Sequence, residues 1–285
     1  MIEKPLVSII TIVYNDKEGL KKTAESIISQ SVFNKTEWII IDADSKDGTK
    51  DIIEEYREYT THAVSEPDKG RYDGMNKGIA VALGEYTIFM NAGDAFDNEF
   101  VIENILNEPF WGEVDYIAGN TYTVIGNKVL DKHISPNSIT ASFFLTHTLC
   151  HQSTFIRTKR LQEFGGYDND FKIAADAKFF FEDLILRNAE YGKTNIFISR
   201  YDITGISSRE ASTTQREKMH FISNSIPPCI LKDLKRLTFG ETYIERISVL
   251  LEQKGVLYNI ITFFAILIYS PIAIKNRVRK LLKNW

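Results

Sequence analysis

Residues 65–94 read S-E-P-D-K-G-R-Y-D-G-M-N-K-G-I-A-V-A-L-G-E-Y-T-I-F-M-N-A-G-D. A polar loop gives way to a segment with helical spacing, then to an apolar strand that ends in Asn91 and Asp94. In a sheet, that order places amide and acidic side chains beyond the carboxyl end of a strand, where open α/β folds bind ligands. Upstream, residues 6–14 form a buried-strand run, and Leu20, Ala24, Ile27 and Ile28 follow at helical spacing. Residues 38–41 are a second strand. Asp47-Gly48-Thr49 is a turn with a helix-capping residue, after which Ile52, Ile53 and Tyr56 share one helical face. Alternating strand and helix predict a βαβ series with parallel strands and an α/β fold. Downstream, residues 114–156 alternate short strand-like pieces with polar turns, and residues 174–187 read as one helix. Pro227-Pro228 marks a boundary, so the expected domains are residues 1–226 and 227–285.

Composition agrees with one large core plus an appendage: 285 residues, 44% hydrophobic and 25% charged. A net charge of −4 argues against a general nucleic-acid binder, whose footprint would be a basic face. Two cysteines, Cys150 and Cys229, are too few for a disulfide framework or a cysteine zinc site and suit a reducing compartment. The first strand runs straight into Asn15 and Asp16 without a small-residue cleavage pattern, so the expectation is a catalytic part that stays in the cytoplasm.

Three ordered motifs, V-S-I-I-T-I-V-Y-N at residues 7–15, W-I-I-I-D-A-D-S-K-D-G-T at residues 38–49 and the stretch ending in Asp94, resemble those of the family 2 glycosyltransferases. The likeness covers roughly residues 5–210. It implies a GT-A type, Rossmann-like, mostly parallel sheet flanked by helices, and a nucleotide-sugar donor. No G-x-G-x-x-G follows the first strand and no G-x-x-x-x-G-K-[ST] occurs, so backbone-amide cradles for the diphosphate are missing. A divalent ion, Mg²⁺ or Mn²⁺, held by one or two carboxylates and by the phosphates, is the usual alternative. Asp94 is the candidate metal ligand. The family pattern there is D-x-D or D-D, whereas this chain has Asn91-Ala92-Gly93-Asp94, in which Asn91 presents a carbonyl oxygen toward the donor. The plainer use of Asp94 is to cap a turn before Asp97 and Asn98.

The resemblance also assigns an acidic residue of the D-x-x-S segment to the uracil N–H, a donor that an ionised carboxylate reads well. Here that residue is Asp42, with Asp44 in reserve. Tyr14 and Asn15 would flank the base, although Asn15 and Asp16 could also cap the first helix. Asp73 and Asn76 lie one helical turn apart and share a face toward the donor ribose or sugar, while Asp73 and Lys77 could form a surface ion pair. Inverting transfer to an alcohol needs a general base. Asp176, after a Gly-Gly-Tyr turn, aligns with that family acid; its ordinary use would be to cap a helix from Ala177. Cys150-His151-Gln152-Ser153 is similar to the H-Q segment of a bacterial polysaccharide branch, where His151 would orient the acceptor, contact phosphate or join the metal shell. Thr204-Gly205-Ile206-Ser207, with Arg209 nearby, matches a short segment of the same branch.

Residues 256–274 are nearly all apolar and are followed by Lys275, Arg277, Arg279, Lys280 and Lys283. The run is marginal for a span, and a single span would put the basic tail outside, against the positive-inside tendency. The expectation is a C-terminal helical, membrane-associating extension whose cations in residues 256–283 meet anionic lipid. A buried terminal helix or an oligomer contact is the plain alternative.

The reading these signals support is an inverting, metal-dependent hexosyl- or N-acetylhexosaminyltransferase. It would move a sugar from a nucleoside-diphosphate donor, a UDP-sugar first of all, to a hydroxyl of a lipid-linked glycan in capsule, O-antigen or exopolysaccharide synthesis. Its place would be the cytoplasmic face of the inner membrane, peripheral or monotopic, with a homo-oligomer left open. The rivals are a polyprenyl-phosphate glycosyltransferase, a catalytically silent scaffold and a glycoside hydrolase with Asp94 and Asp176 as paired carboxylates.

Overall fold

The computed structural model of the chain describes residues 4–126, 128–203 and 211–239, the side chains of residues 211, 212 and 239 excepted. The first half is a regular alternation: β1 (Val7–Val13), α1 (Lys17–Ile28), β2 (Thr36–Asp42), α2 (Thr49–Glu55), β3 (His62–Ser65), α3 (Arg71–Val81) and β4 (Tyr86–Phe89). Both faces of β2 and β4 are covered: every residue of β2 after Thr36, and all of β4, is buried. Two-sided burial is why these strands read as continuous apolar runs. Asp16 caps α1 by accepting the Gly19 N–H, and the helix buries Leu20, Thr23, Ala24 and Ile27. α3 lies close against β1 because two of its residues lack side chains. A Cβ on Gly78 would come within 2.5 Å of Ile10 Cγ2, and one on Gly74 within 3.4 Å of Ile12 Cγ2.

The second half contains β5 (Ala95–Phe96), α4 (Val101–Leu106), β6 (Tyr116–Ile125), β7 (Lys128–His133), α5 (Phe143–Thr146), β8 (Thr154–Arg157), α6 (Thr158–Glu163), α7 (Ala175–Phe181), β9 (Tyr191–Asp202) and α8 (Ala211–Ser225). One mixed sheet runs β3-β2-β1-β4-β8-β6-β9-β5, with β7 paired to β6. The four strands from β3 to β4 are wholly parallel, with Val13 beside Asp42, Asp42 beside Ser65 and Ile10 beside Phe89. Beyond them, β8 is antiparallel to both β4 and β6, β7 to β6, and β5 to β9, while β6 and β9 are parallel. The parallel series expected of the first hundred residues is present, and the second half is mixed. Antiparallel neighbours need no crossover helix, and only two residues of chain separate β6 from β7.

The expected helix over residues 174–187 is shorter and changes type. α7 ends at Phe181, and Glu182–Leu186 is a π-helical turn. In that turn Asp183 is fully buried, where it accepts the Tyr116 hydroxyl (2.6 Å) and the Arg160 guanidinium (Nε, 3.0 Å). It is a scaffold group that ties β6, α6 and the turn together.

By backbone packing the chain divides into Met1–Pro227 and Pro228–Trp285. The described part of the second unit is α9 (Pro228–Phe239). No described helix is long and apolar enough to cross a membrane. The apolar and basic tail, residues 256–283, lies outside the described residues, as do Thr204, Gly205, Ile206, Ser207 and Arg209.

Candidate active site

The carboxyl ends of β1 and β4 lie at the middle of the sheet, and the residues beyond them turn back to meet the loop before β8 and the start of α7. His151 stands at the junction. Its Nδ1 is 3.0 Å from Asp176 Oδ2, and its Nε2 is 3.2 Å from Asn91 Nδ2. The Asp176 carboxylate receives the Tyr72 hydroxyl on its other oxygen at 2.9 Å. Three residues separated by as many as 104 positions in the chain therefore converge: Tyr72 from α3, His151 from the turn before β8, and Asp176 from α7. Asp176 sits in the first turn of α7, and the cap position is Ala174, so it is not the cap that its sequence context suggested.

Asp176 is 9% exposed. Burial works to raise its pKa, but the hydrogen bond and charge of His151 and the Tyr72 hydroxyl outweigh it and hold the carboxyl below its ordinary range. The loop before α7 is fixed from behind. Glu217 on α8 accepts the backbone N–H groups of Lys172 (2.9 Å), Ile173 (3.0 Å) and Ala174 (2.9 Å). Its neighbour Lys218 is buried and donates to the His147 carbonyl at 2.8 Å. Burial pushes the Lys218 pKa down to about 8, while the charge of Asp176 acts to raise it.

Asp94 is placed differently from the expectation of an open metal ligand. It is 4% exposed, its Oδ2 accepts Gln152 Nε2 at 3.1 Å, and its Oδ1 accepts the Asp202 N–H at 3.2 Å. Burial pushes its pKa up to about 6, against the pull of those two hydrogen bonds. It joins the loop after β4 to the H-Q turn and to the end of β9. Lys22 strengthens the same corner by donating to the Gly93 carbonyl at 2.7 Å. No group of three or more His, Cys, Asp or Glu side chains among the described residues is arranged to hold a metal. The donor set around Asp94 does not fit a protein-held divalent ion, because the carboxylate faces an amide and a backbone N–H rather than an open position.

The nucleotide-side candidates gather at the ends of β1 and β2. Asp42 is fully buried; its carboxylate accepts the Ser65 hydroxyl at 2.5 Å, the Ser45 N–H at 3.1 Å and the Ser45 hydroxyl. It therefore shapes the loop instead of facing a ligand. Asp44 is the partly exposed carboxylate here, in the left-handed region (φ 59°), with Lys46 at 2.7 Å and Lys50 at 2.6 Å; these cations hold its pKa down at about 2. Asn15, also left-handed, accepts the Lys46 N–H on Oδ1 (2.8 Å), and its own N–H goes to Ser45 Oγ (2.7 Å). Tyr14 is 65% exposed beside them. Asp73 accepts the Lys69 N–H at 3.1 Å and stands 3.8 Å from Lys77, whose closer partner is Glu66 at 2.8 Å.

Asn76 faces the protein. Its amide donates to the Tyr167 carbonyl (2.7 Å) and to Asn169 Oδ1 (3.2 Å) and accepts the Tyr167 N–H (2.7 Å), so the side chain holds the Gly165-Gly166-Tyr167 turn. Gly166 has φ +74°, and a Cβ there would lie 2.3 Å from Asn76 Oδ1. Sequence reasoning did not find Tyr72, Gln152, Glu217 or Lys218. Gln152 stood inside the quoted H-Q segment and Tyr72 beside Asp73, whereas nothing local marks Glu217 and Lys218.

The model of the family described as Glycosyl transferase family 2 matches residues 8–173. An uncharacterised glycosyltransferase of Mycobacterium tuberculosis is 31% identical over 224 residues, covering 74% of this chain and 81% of that protein. TuaG of Bacillus subtilis, whose name associates it with teichuronic acid biosynthesis, is 31% identical over 157 residues, covering 51% and 59%. Among solved structures, the fold is similar to Staphylococcus aureus TarS 1-349 in complex with UDP-GlcNAc (TM-score 0.63, 18% identity, 82% of this chain and 71% of that one). It is also similar to a Pyrobaculum calidifontis mannosyltransferase in complex with GDP-Man and Mn²⁺ (TM-score 0.59, 14% identity, 94% and 82%). A family match over more than half of the chain, on a sheet whose central edge carries these groups, makes this protein a member of glycosyl transferase family 2.

Proposed function

We propose that this glycosyltransferase moves a sugar, with inversion, from a UDP-sugar to a hydroxyl of a lipid-linked glycan in the synthesis of a surface polysaccharide. The observation that carries the reading is the His151–Asp176 pair, a ready proton acceptor at the carboxyl edge of the parallel strands. An alcohol must lose its proton as it attacks the anomeric carbon, and the bond from that carbon to the diphosphate breaks with its electron pair leaving on phosphate oxygen. Asp44, Asn15 and Tyr14 stand one loop away, where a base would lie. Asp42, Asp73 and Asn76 act in this reading by shaping the walls of the donor site.

The UDP-GlcNAc in the TarS complex makes that sugar nucleotide the first to try, and the name of TuaG, with its teichuronic acid biosynthesis, supports a polysaccharide as product. Mg²⁺ or Mn²⁺ enters this reading as a companion of the diphosphate itself, since few protein ligands are needed when phosphates supply oxygens. Residues 256–283 would dock on the cytoplasmic face of the membrane, where lipid-linked acceptors are presented.

The test is release of UDP or GDP from UDP-N-acetylglucosamine, UDP-glucose, UDP-galactose and GDP-mannose, with Mn²⁺ or EDTA and a membrane lipid extract. Release from one donor, transfer of its sugar to extractable lipid, and a drop of about 100-fold or more in Asp176→Ala are expected. A protein that binds and turns over none of these donors would return the scaffold reading.

A further inference from the structure

Building on the glycosyl-transfer reading with Asp176 as the base, we propose that Lys218 is a positioning residue for the catalytic pair. Together with Glu217 it grips, from one turn of α8, both chain segments that carry His151 and Asp176, and its cation acts on the Asp176 carboxylate.

Neighbouring residues on a helix point about 100° apart, so two adjacent side chains can reach two different loops. Glu217 reaches the loop before α7, where the last of its three N–H partners, Ala174, lies two positions ahead of Asp176. Lys218 reaches the other loop. Its Nζ donates at 2.8 Å to the carbonyl of His147, the residue that ends α5 and lies four positions ahead of His151. The far end of that segment is fixed as well: the Cys150 carbonyl accepts the Ser153 N–H (3.0 Å) and the Thr154 hydroxyl (2.8 Å). Lys218 therefore anchors one end of the run that delivers His151, and the H-Q turn anchors the other.

The helix that carries the grip is itself locked in place. Phe221 and Ile222, one turn beyond Glu217 and Lys218, are buried. The Phe221 ring packs against Phe171 in the loop before α7 (centroids 6.2 Å apart) and against Phe181 at the end of α7 (5.8 Å). Phe144 of α5 meets the same Phe181 ring edge-on at 5.7 Å. One apolar contact thus joins α5, α7 and α8, and the two polar arms of α8 set how the loops leave it.

Packing alone does not account for a lysine here. A buried ammonium costs free energy unless it is paired. Among the described residues Lys218 has the His147 carbonyl as its hydrogen-bond partner and no carboxylate within ion-pair distance. Burial pushes its pKa down to about 8, and the charge of Asp176 acts the other way. Such a coupling is reciprocal: an ammonium that Asp176 stabilises also stabilises Asp176 as the anion, the form a base needs. The other groups that face Asp176 are His151 and Tyr72, which bond to it, and Tyr167, whose buried hydroxyl senses its charge.

The full chain is compared with Lys218→Met, Lys218→Arg and, on the exposed side of α8, Gln215→Ala. The assay is nucleoside-diphosphate release from whichever donor of the panel turns over, between pH 5 and 9. Lys218→Met should lose about 30-fold or more in kcat with donor KM changed less than about threefold, since misplacing a reacting group by about 1 Å costs about 100-fold. Its acid limb should move to higher pH, because Asp176 without the cation holds its proton more tightly. Lys218→Arg, which keeps a cation and a donor, should recover most of kcat and the original limb, and Gln215→Ala should match the unchanged chain. Lys218→Met with unchanged kcat and acid limb would overturn the proposal. So would Lys218→Arg as impaired as Lys218→Met, or a loss shared equally by kcat and donor affinity, the mark of general loosening. Carbon-13 spectra of the chain labelled at its aspartate carboxyls, assigned with Asp176→Asn, follow Asp176 without turnover. The Asp176 midpoint should rise in Lys218→Met and stay in place in Lys218→Arg, and a midpoint that Lys218→Met leaves unmoved would overturn the proposal. Lys218→Gln, a second uncharged variant, is read in the same way where Lys218→Met does not fold. Absence of turnover with every donor would count against the transferase reading alone, and the titration would still decide the role of Lys218.

Discussion

At the scale of single residues, the two carboxylates singled out for chemistry, Asp94 and Asp176, are both buried yet displaced in opposite directions. Asp176 is held low by His151 and Tyr72, while burial carries Asp94 from 3.8 to about 6. A carboxyl whose folded-state pKa is raised binds its proton more tightly when folded. Between these two values the folded chain keeps a proton that the unfolded chain releases, so the contribution is full below the lower value and lost as pH rises through the upper one. Each unit is worth about 1.4 kcal/mol, so Asp94 weakens the folded state by about 2 kcal/mol on going from pH 4 to pH 7. Asp94→Asn should flatten this part of the stability profile. Urea denaturation at intervals across that range would show it, and a variant with the wild-type slope would exclude Asp94 as the cause. At this scale the residue types were legible in sequence and their surroundings were not. Asp42 and Asp44 sit two positions apart, and only the turn at Asp44 decides that one is enclosed by serines and the other meets two lysines.

Among the elements, α8 has the largest unforeseen effect on the site. It supplies no group to the pair itself, yet Glu217 gathers three backbone N–H groups in the loop that aims Asp176. Replacing Glu217 by Ala leaves those donors without a carboxylate and should cost about 2–3 kcal/mol, since bonds to a charged group are the stronger kind. Turnover should fall more than donor affinity, because α7 carries Asp176 and the donor loops lie on β1 and β2. Thermal melting with kcat and KM on the same preparation tests this; a large loss of melting temperature with unchanged kcat would detach α8 from the site. β1, β2, β4 and α1 could be read from the chain, because strands buried on both faces and a helix buried on one leave distinct apolar periods. The end of α7 could not. A π turn differs from an α turn by one residue, and Asp183 turns inward to meet Tyr116 and Arg160, which are distant in sequence.

On the scale of the whole molecule, the proposed membrane docking of residues 256–283 makes a separate prediction. The chain should co-sediment with vesicles containing about 30% anionic lipid and much less with neutral ones, and salt should release part of it. Equal recovery with both kinds of vesicle, or with neither, would remove the electrostatic part of that reading. By itself the sequence determined the α/β class, the parallel alternation that holds β1, β2 and β4, and the family, because those depend on local apolar period and on motifs contiguous in the chain. Only the tertiary structure decided that the other half of the sheet is mixed, that Asp94 is enclosed, that Asn76 holds a turn, and that His151 stands between Asp176 and Asn91. Those outcomes depend on contacts across 25 to 108 positions. A side chain's partner at that distance is set by how the strands and helices pack, which no local pattern of residues encodes.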